Sequence, residues 1–330
     1  MLMSHIQTKD EMLDKAFSRA SKKAKKKKVR GKPIDKAIQK ERMRINISSS
    51  ILSSSLEQIV KKTFSYEKLS PFYREMVDII VDVDEFKKSL ARIDWSYKKI
   101  SDIKGDYIRK VNRSKKPNQA KRSREQFYGR VSNILDGIED ELEYLNKCKT
   151  DLEKLPSIRD APTIVLSGFP NVGKTYLLKV LTGSEPQIES YPFTTKNINV
   201  GFFKKDFQEY QVLDPPGLLD RPIEEMNKIE KQSVSALKYL ANIIIYVFDP
   251  SETSYPVKKQ LELLREIKKE FEGVQIITVV NKMDSFQERK VEEIESNITI
   301  DYKVSAKEKI GIDEFKKDIS KKLRGVRKFE

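Results

Sequence analysis

Gly168-Phe169-Pro170-Asn171-Val172-Gly173-Lys174-Thr175 is the stretch on which the reading of this 330-residue chain turns. Its spacing is G-x-x-x-x-G-K-[ST]. It follows Thr163–Ser167, a short apolar run rich in β-branched residues, and opens a helical pattern over Thr175–Leu181. In that strand–loop–helix setting the glycines let the backbone wrap an anion, so that successive N–H groups and a helix N-terminus face phosphate oxygens. Lys174 is placed to reach the β- and γ-phosphates, and the Thr175 hydroxyl to bind Mg²⁺; the nucleotide-binding candidates run from Gly168 to Tyr176. Further strand-like runs follow at Ile198–Phe203, Tyr210–Leu213, Ile243–Phe248, Gln275–Val280 and Asp301–Val304. Helical patterns lie between most of them, at Ile223–Leu240, Val257–Phe271, Phe286–Ser296 and Ile312–Leu323. Strands alternating with helices predict a mostly parallel, six-stranded sheet covered on both faces.

Three more clusters sit where the strands end. Asp214-Pro215-Pro216-Gly217 closes the third run: an aspartate there holds Mg²⁺ through its water shell, and Gly217 can offer its N–H to a γ-phosphate. Thr194 and Thr195 lie between this cluster and the phosphate loop, where a γ-phosphate-sensing segment supplies a second Mg²⁺ hydroxyl. Asn281-Lys282-Met283-Asp284 follows Gln275–Val280. The Asp284 carboxylate can accept the N1–H and N2–H₂ of guanine, which adenine cannot supply, so the cluster selects GTP over ATP. Ser305-Ala306-Lys307 completes a wall for the base.

The first half reads differently. Four amphipathic stripes recur at helical spacing: Ile34 to Val60, Phe72 to Ile93, Ile100 to Val111 and Phe127 to Leu152. They predict a helical bundle, with Ser70-Pro71 opening a helix, Ser114–Ser123 a basic loop, and the first thirty residues helical only when bound. Residues 1–156 hold 37 Lys+Arg against 23 Asp+Glu, a charge of +14 of the chain's +15; residues 157–330 hold 28 against 27. The basic residues concentrate in Arg19–Arg44, which contains the run Lys25–Lys28, and in Lys104–Arg130. Two such clusters suit a polyanion whose counterions are released on contact. A solvated lysine-rich surface and an anionic membrane surface are the alternatives.

The inventory excludes several chemistries. One cysteine, Cys148, allows no intramolecular disulfide and no cysteine metal cluster; one histidine, His5, rules out a histidine dyad or triad. The longest apolar run, Ile243–Phe248, is far short of the ~20 residues of a membrane span. No signal peptide is visible, so the expectation is a soluble, cytoplasmic protein.

The order GFPNVGKT, TT, DPPG, NKMD, SAK resembles the translation-factor class of GTPases, and Tyr191-Pro192-Phe193-Thr194-Thr195-Lys196 is similar to its Obg-related branch. Gly217-Leu218-Leu219-Asp220-Arg221-Pro222, Asn227-Lys228-Ile229-Glu230 and Asp249-Pro250-Ser251-Glu252 closely resemble the nucleolar GTP-binding (Nog) family. Leu69-Ser70-Pro71-Phe72-Tyr73 and Lys87-Lys88-Ser89-Leu90 resemble its helical domain. The resemblance implies an N-terminal helical, RNA-contacting domain over residues 1–156 followed by an α/β P-loop G domain over 157–330. It also implies a GTPase of large ribosomal subunit assembly that meets ribosomal RNA in the pre-ribosomal particle. Eukaryotic members carry a C-terminal extension beyond the point where this chain ends, which points to an archaeal-type member.

Two departures bear on catalysis. Pro215 replaces the usual threonine of DTPG, while Asp214 and Gly217 remain. Leu218 stands where many regulatory GTPases keep a water-orienting glutamine, so the catalytic group is a residue elsewhere, a partner or a monovalent cation. Asn171 matches the phosphate-loop asparagine that coordinates K⁺ in potassium-activated relatives; equally, it is a turn residue tolerant of left-handed geometry. Two rival functions stand beside the GTPase switch: an RNA-binding placeholder whose hydrolysis is incidental, and an Obg-like translation or stress regulator. Obg proteins carry a glycine-rich N-terminal domain, which the helical stripes here do not resemble.

Overall fold

A computed structural model describes residues 3, 5–159, 161–191, 197–251 and 255–324. The chain divides into two compact units. Among the described residues the first holds five α-helices: α1 (Lys9–Lys26), α2 (Pro33–Lys62), then, after α3 (Pro71–Ile80), α4 (Val83–Asn112), α5 (Pro117–Asp136) and α6 (Glu139–Leu152).

Helix α1 corrects the expectation for the N-terminus. It is formed within the chain itself, opened by a capping box in which Glu11 N–H donates to the Thr8 hydroxyl and Thr8 N–H to the Glu11 carboxylate. Ala16, Ala20 and Ala24, one helical turn apart, are fully buried and let α2 approach closely. The basic loop expected over Ser114–Ser123 shrinks in the same way. Pro117 occupies the first turn of α5, and the Gln119 side chain accepts from the N–H groups of Lys115 and Lys116 at 2.8 and 3.2 Å. The second and third stripes meet in α4, whose start is capped by Asp82. Helices α2 and α4 run antiparallel, as the Phe64–Phe86 ring contact at one end and the Ser53–Tyr97 hydrogen bond further along require. The turns α1–α2 and α4–α5, which carry the two basic clusters, therefore lie at the same end of this bundle.

The second unit contains residues 154–330 together with Leu69–Ile79. That insertion changes the 1–156/157–330 division. Phe72 and Met76 of α3 are fully buried in the core of the second unit. The Tyr73 hydroxyl donates to the Pro156 carbonyl at 2.9 Å and accepts from Ile158 N–H at 3.0 Å.

The remaining order is β1 (Thr163–Ser167), α7 (Lys174–Thr182), β2 (Gln187–Glu189), β3 (Ile198–Lys205), β4 (Gln208–Asp214), α8 (Lys228–Lys238), β5 (Ile243–Phe248), α9 (Val257–Glu270), β6 (Gln275–Val280), α10 (Glu288–Glu295), β7 (Tyr302–Lys303) and α11 (Ile312–Lys322). Among the described residues the sheet has seven strands rather than six, in the order β2-β3-β4-β1-β5-β6-β7. β2 and β3 pair antiparallel, as do β3 and β4; every other pair is parallel. The added strand β2 is three mostly exposed residues at the edge. β1 and β5 are buried along their whole length, as strands covered on both faces must be. The chain moves to one side of β1 for β2–β4 and to the other for β5–β7. The carboxyl end of β1 is thus the switch point where α/β sheets open a crevice for ligands.

Candidate nucleotide-binding site

The loop Gly168–Thr175 lies at that switch point. Its path needs left-handed backbone at Gly168, Asn171 and Gly173, with φ of 128°, 66° and 96°. A Cβ on Gly168 would come 2.5 Å from the Val247 carbonyl, and one on Gly173 would come 2.3 Å from Asn281 Nδ2, so both glycines are obligatory for space as well as for φ. Gly173 caps α7 without a side-chain hydrogen bond, leaving the first-turn N–H groups to face a phosphate. Lys174 is buried, its ammonium held over the loop by donating to the carbonyls of Gly168 (2.7 Å) and Phe169 (2.9 Å). The Phe169 ring stacks on Tyr255 at 4.0 Å, and Val172 is sealed in the core. Pro170 and Asn171 form the rim, and Tyr176 is half exposed beside it.

The structure brings Thr175 and Asp214 together. The Thr175 hydroxyl donates to Asp214 Oδ2 at 2.5 Å, and Asn199 Nδ2 donates to the same oxygen at 3.0 Å. Asp214 is fully buried, and its Oδ1 has no partner among the described residues. An orphaned buried carboxylate oxygen beside a threonine hydroxyl suits a hard cation and its water shell, so the residues present fit Mg²⁺. Thr194 and Thr195 lie outside the described residues. Gly217 has a φ of 86° in the turn after β4. Leu218 is 1% exposed, and the next residue, Leu219, receives on its carbonyl the Gly168 N–H and the Ser167 hydroxyl, each at 3.0 Å.

The base-side motif is joined to the phosphate loop through Asn281. Its Nδ2 donates to the Val172 carbonyl and its Oδ1 accepts from Ala306 N–H, both at 2.9 Å. Lys282, in left-handed backbone, places its ammonium 2.7 Å from the buried carboxylate of Asp249. Asp284 is exposed and accepts from the Ser305 hydroxyl, which holds its carboxyl below the usual aspartate range. Lys307 is exposed next to it in the same wall.

Sequence reasoning missed the supporting residues. Asp249 entered only as part of a family-like tetrapeptide, yet it is the partner of Lys282. Gln260 locks Asp249 in turn, accepting its N–H and donating to its carbonyl, both at 2.9 Å. Asn199, on β3, orients Asp214. Arg221 donates to the Gly217 carbonyl at 3.1 Å and pairs with Glu230 at 2.8 Å, anchoring the Gly217 turn to the start of α8. Apart from the Arg221–Gly217 bond within one turn, each partnership links residues on different elements, so no local spacing signals it.

The NOG1 N-terminal helical domain family matches residues 3–159, and the Nucleolar GTP-binding protein 1 (NOG1) family matches residues 228–284. An uncharacterized protein of Methanocaldococcus jannaschii is 41% identical over 249 residues, which cover 75% of this chain and 70% of that protein. Nucleolar GTP-binding protein 1 of Saccharomyces cerevisiae is 33% identical over 72% of this chain, but the match spans only 37% of the yeast protein. Among solved structures, the putative nucleolar GTP-binding protein 1 of Plasmodium falciparum is 31% identical, with a TM-score of 0.44, over 52% of this chain and 90% of that one. The two family matches, over residues 3–159 and 228–284, thus name the same family, and the chain belongs to the Nog, or nucleolar GTP-binding protein 1, family.

Proposed function

We propose that this protein binds GTP and GDP with Mg²⁺, hydrolyses GTP slowly to GDP and phosphate, and acts in large ribosomal subunit assembly through contact with ribosomal RNA. The observation that supports the nucleotide reading is the double hydrogen bond of Asn281, which ties the Asn281–Asp284 motif to the phosphate loop at Val172 and to the Ser305–Lys307 segment at Ala306. Lys174 and the α7 N-terminus neutralise the phosphates, and Asp284 selects guanine. When bound, Mg²⁺ supplies positive charge beside the phosphate oxygens; Thr175 and Asp214, with Thr195, would hold it.

The reaction is in-line attack of water on the γ-phosphate, with positioning and electrostatics providing most of the acceleration. Gly217 offers its N–H to the γ-phosphate. Leu218 packs into the core and orients no water, so full activity requires a residue elsewhere in the chain, a group from a partner or a K⁺ ion held with Asn171. The same leucine favours the second reading, a placeholder on RNA whose hydrolysis is incidental. Single-turnover hydrolysis with and without large-subunit precursor particles separates the two: the switch reading expects acceleration of at least about 10-fold, and an unchanged rate supports the placeholder.

For the RNA reading, the support is the bundle end where both basic turns meet. Not every cation there is free. Arg124 lies 2.8 Å from the buried Glu41, off the line of its N–H, and Arg44 pairs with the same carboxylate, so these two serve the bundle. Lys25–Lys28 remain exposed. If about six phosphates are neutralised, log K falls against log salt with a slope of about −4 to −5, and glutamates at Lys25–Lys28 reduce it by about three. GTP affinity of that variant should be unchanged.

A further inference from the structure

The chain has one tryptophan, and it is not in a core. Trp95, on α4, is 57% exposed, although its neighbours Ile93 and Ser96 are fully buried. It lies in a groove of about 350 Å³ between α4 and α5. Arg92, Trp95 and Lys99, spaced i, i+3, i+7, form one side; Arg130, Asn133 and the half-buried Ile134 form the other. The cations differ in a telling way. Arg92 is fixed: it pairs with Glu141 and donates to the Gly137 carbonyl at 2.7 Å. Lys98, next in sequence to Lys99, pairs with Asp94. Lys99 and Arg130 form no ion pair among the described residues, and both border the exposed indole.

An unpartnered flat aromatic surface flanked by uncommitted cations is the combination that holds single-stranded nucleic acid. The ring stacks on any base, while the cations take the adjoining phosphates. A-form duplex offers no free base face, so the groove discriminates against it. An apolar protein anchor would equally suit an exposed tryptophan. The two unpaired cations, and the +14 charge of the half that carries the groove, favour the polyanion. We propose that the Trp95 groove is a stacking site for an unpaired RNA base, with Lys99 and Arg130 binding the flanking phosphates. This rests on the RNA-contact reading above and adds to it an unpaired rather than a helical target.

Because Trp95 is the only tryptophan, its fluorescence in the full-length protein reports this groove alone. Titration with a 12-nucleotide oligouridylate should quench it, and a 12-base-pair RNA duplex should not. By anisotropy of labelled oligouridylate, Trp95→Ala should weaken binding about 10-fold or more and Trp95→Phe only a few-fold, with thermal unfolding unchanged. Lys99→Ala combined with Arg130→Ala should weaken binding and flatten its salt dependence. RNA binding without quenching, and unaffected by Trp95→Ala, would overturn the groove assignment while leaving the RNA reading intact. No RNA binding by the wild type at low salt would remove both. Equal quenching by poly-glutamate would also overturn base stacking, in favour of an acidic protein partner.

Discussion

The Thr175 hydroxyl donates to Asp214 Oδ2 at 2.5 Å across 39 positions of chain, while the other oxygen of that buried carboxylate has no partner among the described residues. The pair joins the start of α7 to the end of β4, and its open oxygen is the groundwork for a cation. Asp214→Asn removes the charge and, with its amide oxygen still accepting from Thr175 and Asn199, turns an N–H donor toward the cation position. GTP affinity in MgCl₂ should fall by about 10- to 100-fold, the usual effect of disturbing an outer-shell metal contact. The difference between titrations in MgCl₂ and in EDTA should nearly vanish. A variant that keeps the full magnesium effect would contradict the assignment.

Asp249 and Lys282 make an ion pair in which the carboxylate is buried and the ammonium is partly exposed. Breaking a fully buried pair costs about 3–5 kcal/mol; partial exposure here reduces the expectation for Asp249→Ala to about 2–3 kcal/mol. Urea unfolding should show a lower midpoint with an unchanged slope. Guanine nucleotide affinity should drop as well, because Lys282 loses the anchor that sets its left-handed turn.

Guanine selection has a pH signature. The Ser305 hydroxyl holds the Asp284 carboxyl below its ordinary value of 3.8. A depressed carboxyl stays ionised above that value and gains its proton only as pH falls through the lowered one. Preference for GTP over ATP should therefore be flat from pH 7 down to pH ~5. Ser305→Ala should move the onset of loss upward. Asp284→Asn should abolish the preference for GTP and admit xanthine nucleotides, at about 1–3 kcal/mol for each guanine donor left unpaired. Competition binding with GTP, ATP and XTP reads all three.

Helix α1 depends on small residues. Ala20 is fully buried and faces α2, so Ala20→Leu overpacks the contact and should destabilise by about 1–3 kcal/mol. Hydrogen exchange should rise first in Lys9–Lys26. Protection left unchanged there would show that α1 is not docked as described.

Potassium is tested by turnover in KCl and in NaCl at equal ionic strength. With a K⁺ ion supplying the charge that other systems take from an arginine, KCl should accelerate hydrolysis by at least about 10-fold, and Asn171→Ala should abolish the difference. Asn171 sits in left-handed backbone, where alanine is strained. Asn171→Gly separates the loss of the side chain from the loss of the turn.

The phosphate loop, the strand-end clusters and the parallel sheet were legible because each rests on local spacing or on a run of β-branched residues. What escaped had weak local signals. β2 is three residues with no apolar alternation, and its pairing to β3 creates it. α1 presents alanines among lysines, a faint apolar stripe that becomes a core face only against α2. Pro117 and the lysines before it look like a loop until Gln119 is seen gathering their N–H groups. In the site, the motif residues were visible, but Asn199, Gln260 and Asp249 matter through partners 11 to 33 positions away.

Helix α3 leaves the first unit at Lys68 and the chain returns to it at Ile80, before crossing again after Glu153. Neither unit is therefore one continuous length of gene. A single recombination breakpoint at residue 154 would deliver a sheet stripped of Phe72 and Met76, together with a bundle trailing Leu69–Ile79, an eleven-residue piece of foreign core. Shuffling either unit as a single block is thus penalised at every junction. The two halves are constrained to be inherited together.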